Sequence, residues 1–485
     1  MSGANDRTLF SRRALVRRVA LAAAVVPAGS VLAACAAPAA APAPTQAPAQ
    51  PAQPAAKPTE APKPAATQPP SGAGAAAAAT PLAQSTRNPE ATLVRFYTST
   101  AAANLPFWRD GVAAFEKKYP KIQVEIEHTP GQPYWDKLTV AFAGGTAPDV
   151  IYGAPLDCAR VANQGMLLDL SQNIKDDKFP LEDINAATQR PYMWGGKVYG
   201  IAAFNDTRYT IYNKTMFKEA GLPELPQTWD GDFSIETFLE YCKKLTNPSK
   251  QTWGYVFESN GQAARMSWLF GANYYDSQDY PTKAVMDSPE GIAGFQWIQD
   301  LVHVHKVAPS VAENMGGSDP MFQTGKVGMI WGGFKSAAAI HRVIKNFEWG
   351  ISTIPKGKVR VSNLSPNGFM IISKSKVVPQ AWALVKYITA DEGAAILSQS
   401  TSMPANKNVD FAKVSPLQPW ENKLLQDALK TGRSEVPHPN IKPQFGTIIN
   451  EEMDQLMAKT KTGEQVAKDM AKRINAVFQP YVVPQ

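Results

Sequence analysis

A long stretch that cannot form a core limits what the rest of this chain can fold into. Between Cys35 and Phe96 there is no aromatic residue, and eleven prolines fall between Ala36 and Pro70. Such a segment has too little apolar surface to offset the entropy that a chain loses on folding. We therefore expect residues 36–90 to form a disordered, partly extended linker. At ~3.1 Å per residue, the part from Ala36 to Pro70 can reach on the order of 100 Å.

The segment before this linker has the features of an export signal. Five arginines precede an apolar run at residues 19–26, which is far shorter than the roughly 20 residues that a membrane-spanning helix needs. A basic region, a short apolar region and then small residues are typical of a secretory signal peptide. We expect residues 1–35 to be this signal, with Cys35 as the first mature residue.

Two short motifs refine that expectation. The stretch SRRAL at residues 11–15 resembles the twin-arginine export signal, and LAAC at residues 32–35 resembles the bacterial lipobox. The second resemblance implies that the thiol of Cys35 is acylated, so that the linker becomes a membrane tether. A non-lipidated signal, or ordinary export with a chance arginine pair, remains the alternative.

Size and charge limit the remaining chain. About 395 residues follow the linker, which is too many for one ordinary core and favours two lobes. Five Arg and one Asp precede Cys35, which leaves 44 basic and 41 acidic residues and a net charge of +3. Because no basic stripe is interleaved with aromatic residues, nucleic-acid binding is not expected.

Cysteine and histidine give no sign of a metal site or a cofactor. Only Cys158 and Cys242 follow Cys35, and their spacing matches no metal motif. They either pair outside the cell or remain buried thiols. The five histidines are scattered, and His303 and His305 would not share one face of a helix. We predict neither a metal nor a cofactor.

The hydrophobic pattern after the linker predicts alternating strands and helices. The stretch ATLVRFYTST at residues 91–100 predicts a strand that runs into a polar loop. A helix with apolar spacings of four, three and four follows, and a second strand alternates from Ile122 to Ile126. A short helix and a buried strand at residues 149–152 follow. This order predicts βαβ units with a mostly parallel sheet. Ligands bind such sheets beyond the carboxyl ends of the strands, here at residues 97–100 and 153–157.

Six segments in order resemble one protein family. They are AGGTAPDVIYG, the block YGIAAFNDTRYTIYNKTMFKEAGL followed by PQTWD, then FQTGKVGMIWGG, NGFMIISKSKVVPQAWALVKYITADEGA, MPANK and TGEQVAKDM. Together they span nearly all of residues 92–478 and resemble the family 1 extracellular solute-binding proteins, the sugar receptors of ABC importers. One departure is that Gly153-Ala154-Pro155 stands where this family often has an aromatic residue.

The resemblance implies an α/β fold of the type II periplasmic-binding-protein kind. Two α/β lobes would be built from a discontinuous chain, with a hinge and a ligand cleft between them. The binding domain would span residues 91–485, with lobe 1 at about 91–204 and 367–403 and lobe 2 at about 205–366 and 404–485. Crossings are expected near residues 203–208, 366–369 and 404–409.

A sugar site needs aromatic faces for the apolar patches of a pyranose and planar polar groups for its hydroxyls. The resemblance places several such residues on cleft loops. The predicted ligand contacts are Tyr97, Thr98, Asp157, Phe204, Asn205, Asp206, Arg208, Arg265, Trp268, Trp331, Phe334, Asn367, Phe369 and Phe445. Trp268 and Phe369 could equally belong to the core, and Arg208 could form a salt bridge across the hinge. Trp108, Trp297 and Trp382 are interpreted as core residues.

Catalysis is not expected. The chain contains no G-x-S-x-G, H-E-x-x-H, Walker or dinucleotide-glycine motif, and Asp149 at a strand start is interpreted as structural. The predicted function is therefore sugar capture by a lipid-anchored, monomeric receptor on the outer face of the bacterial cytoplasmic membrane, with an ABC permease as partner. The alternatives are a receptor for a polyol phosphate or a peptide, and a carbohydrate-active enzyme of the cell surface.

Overall fold

This computed structural model describes residues 80–81, 88–100, 102, 105–130, 133–155, 158–310, 313, 317–390, 392–398, 402–413, 415–434, 443–478 and 481. All of them belong to one compact unit, Gly72–Gln485. The predicted signal peptide, Cys35 and most of the predicted linker lie outside the described residues.

The described strands are short and distributed along the whole unit. In chain order they are β1 (Thr80–Pro81), β2 (Thr92–Thr98), β3 (Ile122–His128), β4 (Val150–Gly153), β5 (Met193–Trp194), β6 (Lys197–Val198), β7 (Gly200–Asn205), β8 (Tyr209–Asn213), β9 (Trp253–Val256), β10 (Val327–Gly332), β11 (Trp349–Ser352), β12 (Ser362–Asn363), β13 (Asn367–Ile371), β14 (Met403–Pro404) and β15 (Gly432–Arg433).

Helices separate most of these strands. The described helices are α1 (Leu105–Lys118), α2 (Pro133–Ala143), α3 (Cys158–Asn163), α4 (Ser171–Asp176), α5 (Ala186–Gln189), α6 (Lys214–Glu219), α7 (Ile235–Leu245), α8 (Asn260–Arg265), α9 (Pro289–His303), α10 (Ser318–Gln323), α11 (Phe334–Val343), α12 (Val378–Ala390), α13 (Glu392–Ser398), α14 (Pro419–Ala428), α15 (Pro443–Met457) and α16 (Gly463–Val477).

The first lobe is built on a seven-stranded sheet of order β1-β3-β2-β4-β13-β7-β14. Strand β2 pairs in parallel with both β3 and β4, which confirms the βαβ units predicted from the sequence. Strand β13 is antiparallel to both β4 and β7. Strands β2, β4 and β7 therefore point the same way, and their carboxyl ends lie at one edge of the sheet.

The second lobe contains a smaller sheet of order β11-β8-β10-β9. Strand β10 is parallel to β9 and antiparallel to β8, and Gly332 at its end faces Tyr209 at the start of β8. The carboxyl ends of β9 and β10 thus share an edge with the amino end of β8. Every residue of β8 and of β10 is buried, so both faces of this sheet are covered.

Each lobe has its own hydrophobic core. One core draws its residues from Val94 to Phe204 and from Phe369 to Ala405. The other draws them from Tyr209 to Ile354 and from Met403 to Ile474. The chain therefore passes between lobes where β7 is followed by β8, where β12 is followed by β13, and after β14. These passages place the junction of the lobes beside the carboxyl edges of both sheets.

Local sequence signals account for several of these boundaries. The side chain of Thr462 accepts a hydrogen bond from the backbone of Gln465, and the two residues form the predicted capping box at the start of α16. Helix α1 buries Trp108, Val112 and Phe115 at helical spacing, so that one face packs on the first sheet.

Part of the range predicted as linker has secondary structure. Thr80 and Pro81 pair antiparallel with His128 and Glu127 at the edge of the first sheet. A proline is tolerated here because an edge strand leaves one side of its backbone without a ladder partner.

The two cysteines that follow the linker are not joined by a disulfide. Cys158 is buried in the core of the first lobe and Cys242 in that of the second. Each core is closed around its own thiol, so these cysteines do not pair in this arrangement of the lobes.

Candidate functional site

The two sheets turn their carboxyl edges toward the same junction. The chain leaves the first sheet at Asn205 and enters the second at Tyr209, so only three residues separate the two edges. Side chains that follow β4, β7, β9 and β10 therefore converge between the lobes. Ligands of α/β proteins bind beyond the carboxyl ends of strands, and we take this junction as the candidate ligand cleft.

Three charged residues form a cluster at the junction. The guanidinium of Arg208 donates two hydrogen bonds to Glu258, from Nε to Oε2 at 2.8 Å and from Nη2 to Oε1 at 3.0 Å. Its Nη1 donates to Oδ2 of Asp206 at 3.2 Å. The remaining carboxylate oxygen of Asp206 accepts from the backbone N–H of Phe334 at 2.7 Å. We call Asp206, Arg208 and Glu258 the hinge cluster.

Burial dominates the electrostatics of the hinge cluster. Desolvation raises the pKa of Asp206 above its ordinary value, although Arg208 and the N–H of Phe334 oppose this effect. Burial also acts to lower the pKa of Arg208, but the attraction of Asp206 and Glu258 exceeds it, so its net pKa is raised. The guanidinium therefore stays charged and ties the first crossing segment to the residues that directly follow β9 in the second lobe.

The cluster is also fastened to the second crossing segment. The Oγ atom of Ser362 in β12 accepts a hydrogen bond from the backbone N–H of Arg208 at 2.9 Å and donates one to its carbonyl at 2.8 Å. The N–H of Ser365 donates to the carbonyl of Asp206 at 2.8 Å. Two of the three passages between the lobes are thus held side by side at the hinge cluster.

Four aromatic residues lie together at the edge of the first sheet, and we call them the aromatic wall: Trp108, Tyr152, Phe204 and Phe369. Tyr152 in β4 packs edge-on against Trp108, with ring centroids 4.8 Å apart, and its ring lies 5.3 Å from that of Phe369 and 6.2 Å from that of Phe204. Trp108, Phe204 and Phe369 are buried, whereas Tyr152 is only half-buried. Of these four residues, Tyr152 therefore has the largest exposed fraction, although burial still raises the pKa of its hydroxyl.

A second tryptophan fills the space left by Gly153. A Cβ atom built on Gly153 would lie 3.1 Å from the ring of Trp135 in α2, which is closer than ordinary packing allows. Trp135 is half-buried and lies 5.7 Å from the guanidinium carbon of Arg160. The aromatic group that β4 lacks at this position is thus supplied by a different element.

The predicted ligand contacts of the first lobe that the structure describes have partners within that lobe. Tyr97 is 2 % exposed and stacks on Tyr134 at 4.5 Å within the core. Thr98 is buried, and its hydroxyl accepts a hydrogen bond from the N–H of Thr100. Asn205 donates to the hydroxyl of Thr188 at 2.8 Å, while Asn367 faces Phe204 across the sheet edge. Asp157 lies outside the described residues.

Phe334 and Trp331 of the second lobe occupy the cleft edge of that lobe. Phe334 begins α11 directly beyond β10, with its backbone on Asp206 and its ring 5.0 Å from that of Phe411. Trp331 is 9 % exposed and lies 5.8 Å from Tyr255 and 6.2 Å from Phe238. The sequence predicts that Trp331 packs little when the cleft is empty. This expectation is wrong, because β10 turns its indole into the core.

Three other predicted contacts lie apart from the hinge cluster. Phe445 is 2 % exposed and stacks on Phe478 at 5.7 Å. Trp268 is 2 % exposed and is covered by the guanidinium of Arg433 at 4.4 Å. Arg265 ends α8. The rings of Phe445 and Trp268 thus make their contacts inside the second lobe.

Sequence reasoning missed Tyr152, Trp135 and Glu258. A signal existed for two of them, since Tyr152 is the last residue but one of a buried strand and Glu258 follows a second buried strand by two residues. Asp149 was interpreted correctly as structural. Its carboxylate accepts hydrogen bonds from the N–H of Arg95 at 2.9 Å and from the hydroxyl of Ser375 at 2.6 Å.

The described part of the chain offers no group of three or more His, Cys, Asp or Glu side chains that could hold a metal ion. Within the same residues, no helix is both long and apolar enough to cross a membrane.

Two α/β lobes, joined by crossing strands and meeting at the carboxyl edges of their sheets, define a two-lobed binding protein. The chain belongs to the bacterial extracellular solute-binding protein family, whose family model matches residues 99–395. This confirms the family predicted from the sequence.

Individual relatives support the same fold. A multiple sugar-binding protein from Streptococcus mutans is 25% identical over 381 residues, which are 76% of this chain and 85% of that protein. An ABC substrate-binding protein from Listeria monocytogenes, solved with cycloalternan, is similar in structure with a TM-score of 0.70, 23% identity and coverage of 80% of this chain and 98% of that one. A solute-binding protein from Thermotoga lettingae, solved with alpha-D-tagatose, is also similar in structure, with a TM-score of 0.68 and 22% identity. The match covers 80% of this chain and 100% of that one. The predicted type II periplasmic-binding-protein fold is thereby confirmed.

Proposed function

We propose that this protein is the substrate-binding component of an ABC importer and that it captures a sugar or oligosaccharide outside the cytoplasmic membrane. The observation that carries the proposal is the junction itself, where an aromatic wall and the hinge cluster stand at facing edges of two lobes. A pyranose offers apolar C–H faces and hydroxyl edges, and a site for it combines aromatic rings with planar hydrogen-bonding groups. The names of the Streptococcus, Listeria and Thermotoga proteins support a carbohydrate or a related solute.

Tyr152 is the aromatic contact that we propose first, because it is half-buried while its neighbours in the wall are buried. Trp135 is the second, in the space beside Gly153. We also propose Asp206, Arg208 and Glu258 as the polar groups of the cleft, with Phe204 and Phe334 as buried residues behind it. Ligand contacts to both lobes would favour the closed arrangement, which is the state presented to a permease.

The placement in the cell follows from the sequence and stays a proposal. The signal and lipobox motifs at residues 1–35 support export and acylation of Cys35, and residues 36–79 would tether the binding domain to the outer face of the membrane. We propose a monomer that divides into lobes near residues 204 and 366 and after residue 404. Enzymatic turnover is not part of this proposal, because the acids of the hinge cluster are both paired with Arg208.

The test is a titration of a sugar panel into the binding domain, with Tyr152→Ala as the site variant. Removing one well-placed aromatic ring from a desolvated pocket costs on the order of 2 kcal/mol, which is roughly a 30-fold loss of affinity. Tyr119→Ala is the matched control, since Tyr119 is also a half-buried tyrosine of the first lobe but packs on Phe115 at 4.8 Å and Tyr387 at 6.4 Å.

We expect saturable binding of at least one sugar, a weaker affinity in Tyr152→Ala and an unchanged affinity in Tyr119→Ala. If no carbohydrate binds and a peptide or polyol phosphate does, the sugar assignment is wrong while the receptor class stands. Equal loss of affinity in both variants would show that Tyr152 does not contact the ligand.

A further inference from the structure

A second concavity lies between the lobes, away from the candidate cleft. Its volume is about 320 Å³. The first lobe contributes Arg190 and the turn that carries Trp194, and the second contributes residues 278–280 and 432–434. We call this concavity the rear crevice.

Strand β12 separates the rear crevice from the hinge cluster. On one side β12 holds Arg208 through Ser362, and Leu364 beyond it bridges to Thr207. On its other side β12 pairs in parallel with β15, where Asn363 faces Arg433. Arg208 and Arg433 therefore lie on opposite sides of one crossing strand, and the rear crevice is a site distinct from the cleft.

Arg433 in the wall of the rear crevice is a cation without an acidic partner among the described residues. Its Nη1 donates to the carbonyl of Ala272 at 3.0 Å, and its guanidinium lies 4.4 Å from the ring centre of Trp268. Burial lowers its pKa to about 10. By contrast, Arg208 pairs with two carboxylates, and Arg190 at the same crevice pairs with Asp279 across the lobes, with Nε 3.0 Å from Oδ1. A partly buried guanidinium that lacks an acid is costly to the fold.

Two aromatic rings complete the crevice. Trp194 of the first lobe and Tyr280 of the second meet edge to face, with centroids 5.5 Å apart. Trp194 is 4 % exposed and Tyr280 is half-buried. A charged donor beside an aromatic pair matches a solute that has one oxyanion and one apolar part.

We propose that the rear crevice is a second binding site, which takes a small organic solute with a carboxylate or phosphate group. The oxyanion would accept paired hydrogen bonds from Arg433, as carboxylates and phosphates do from guanidinium groups, and the carbon part would lie against Trp194 and Tyr280. The volume stands at the low end of the ~300–1,000 Å³ found for ligand pockets, which restricts the solute to a small molecule.

The test uses citrate and inorganic phosphate as probes, with sodium chloride at equal ionic strength as the reference. Calorimetry and thermal melts are done on the sugar-free protein, so the result does not depend on the proposed sugar site. We expect saturable binding and stabilisation by at least one probe but not by chloride. Binding of citrate alone would identify the oxyanion of the solute as a carboxylate, and binding of phosphate alone would identify it as a phosphate.

Two variants locate the binding. Arg433→Met should weaken it about 10-fold or more, because a charge-assisted hydrogen bond is lost. Tyr280→Ala, which keeps the guanidinium, should also weaken it. Arg342→Met is the matched control, since Arg342 is exposed on α11 and its loss changes the net charge equally. The proposal is overturned if neither probe binds saturably, if Arg433→Met and Tyr280→Ala bind as the parent protein does, or if Arg342→Met loses as much affinity as Arg433→Met.

Discussion

Replacing Arg208 with methionine is the sharpest perturbation that the hinge cluster offers. Methionine keeps much of the aliphatic stem but removes the guanidinium, so two carboxylates lose their shared partner. The side chain of Asp206 is 18% exposed and that of Glu258 is 32% exposed. Asp206 keeps the N–H of Phe334 as a donor, whereas Glu258 turns to solvent.

The size of the effect follows from these exposures. Breaking a buried ion pair by removing one partner costs about 3–5 kcal/mol. Because Glu258 stays partly hydrated and Asp206 keeps one donor, we expect the lower end, about 3 kcal/mol near pH 7. The measurement is the urea midpoint of the binding domain at an unchanged slope.

The pH dependence gives the prediction its sign. The folded-state pKa of Asp206 is already raised by burial. Ionising this carboxyl therefore costs more free energy in the folded state than in the unfolded state, and the full cost is present above the folded-state pKa. The penalty disappears below the unfolded value of about 3.9, where the carboxyl is protonated in both states. Without Arg208 the pKa rises further. The loss of stability in Arg208→Met should therefore be larger near pH 7 than near pH 4.

A double variant and a surface control complete the experiment. Asp206→Asn in the Arg208→Met background removes the stranded charge and should recover part of the lost stability. Lys430→Met breaks an exposed pair with Asp427 and should change stability by less than about 0.5 kcal/mol. An Arg208→Met protein within about 0.5 kcal/mol of the parent, or destabilised equally at both pH values, would show that the cluster does not carry a desolvated charge.

Three further outcomes are expected. Trp331→Ala and Trp382→Ala should each lower stability by about 3–5 kcal/mol, since both rings are buried. Only Trp331→Ala should also weaken sugar binding in calorimetry, because a cavity at this end of β10 shifts the backbone that leads to Phe334 and Asp206; unchanged affinity would show that Trp331 is a core residue alone. Cys35→Ser should move the protein from the membrane fraction to the soluble one, and retention in membranes would contradict acylation. Limited proteolysis before Thr92 should leave a fragment that binds sugar with the parent affinity and melts within a few degrees of the full chain; an earlier melt would show that the pairing of Thr80 with β3 stabilises the domain.

The fold could be predicted because its signals are local and repeated. Helix α1 has the spacing of Trp108, Val112 and Phe115 that one buried face requires, and β3 alternates as a strand does. The capping box at Thr462 marks the start of α16 from two residues alone. The pairing of β13 between β4 and β7 needed the family resemblance, because more than 150 residues separate Phe369 from Phe204 in the chain.

The cleft residues could be predicted only in part, because the face of a strand decides what a side chain meets. The family resemblance places Asp206 and Arg208 at the first crossing, and the structure joins the two side chains in the hinge cluster, while their contact with a ligand stays a prediction. Trp331 and Phe334 look alike in the sequence, each beside glycine. Yet both rings enter the core of the second lobe, and only the backbone N–H of Phe334 reaches the hinge cluster. Successive residues of a strand point to opposite faces, and the pattern of a fully buried strand does not show which face is which.

Gly153 is a second position where the sequence alone does not show what fills the space. It stands where this family often has an aromatic residue, so the sequence leaves the size of the ligand open. In the structure the space that its missing side chain leaves is occupied by the ring of Trp135, eighteen residues earlier in the chain. A larger residue at position 153 would meet that ring at 3.1 Å, so glycine at this position and tryptophan in α2 depend on each other. If Trp135 contacts the ligand as we propose, the shape of the sugar that fits depends on how α2 packs against β4.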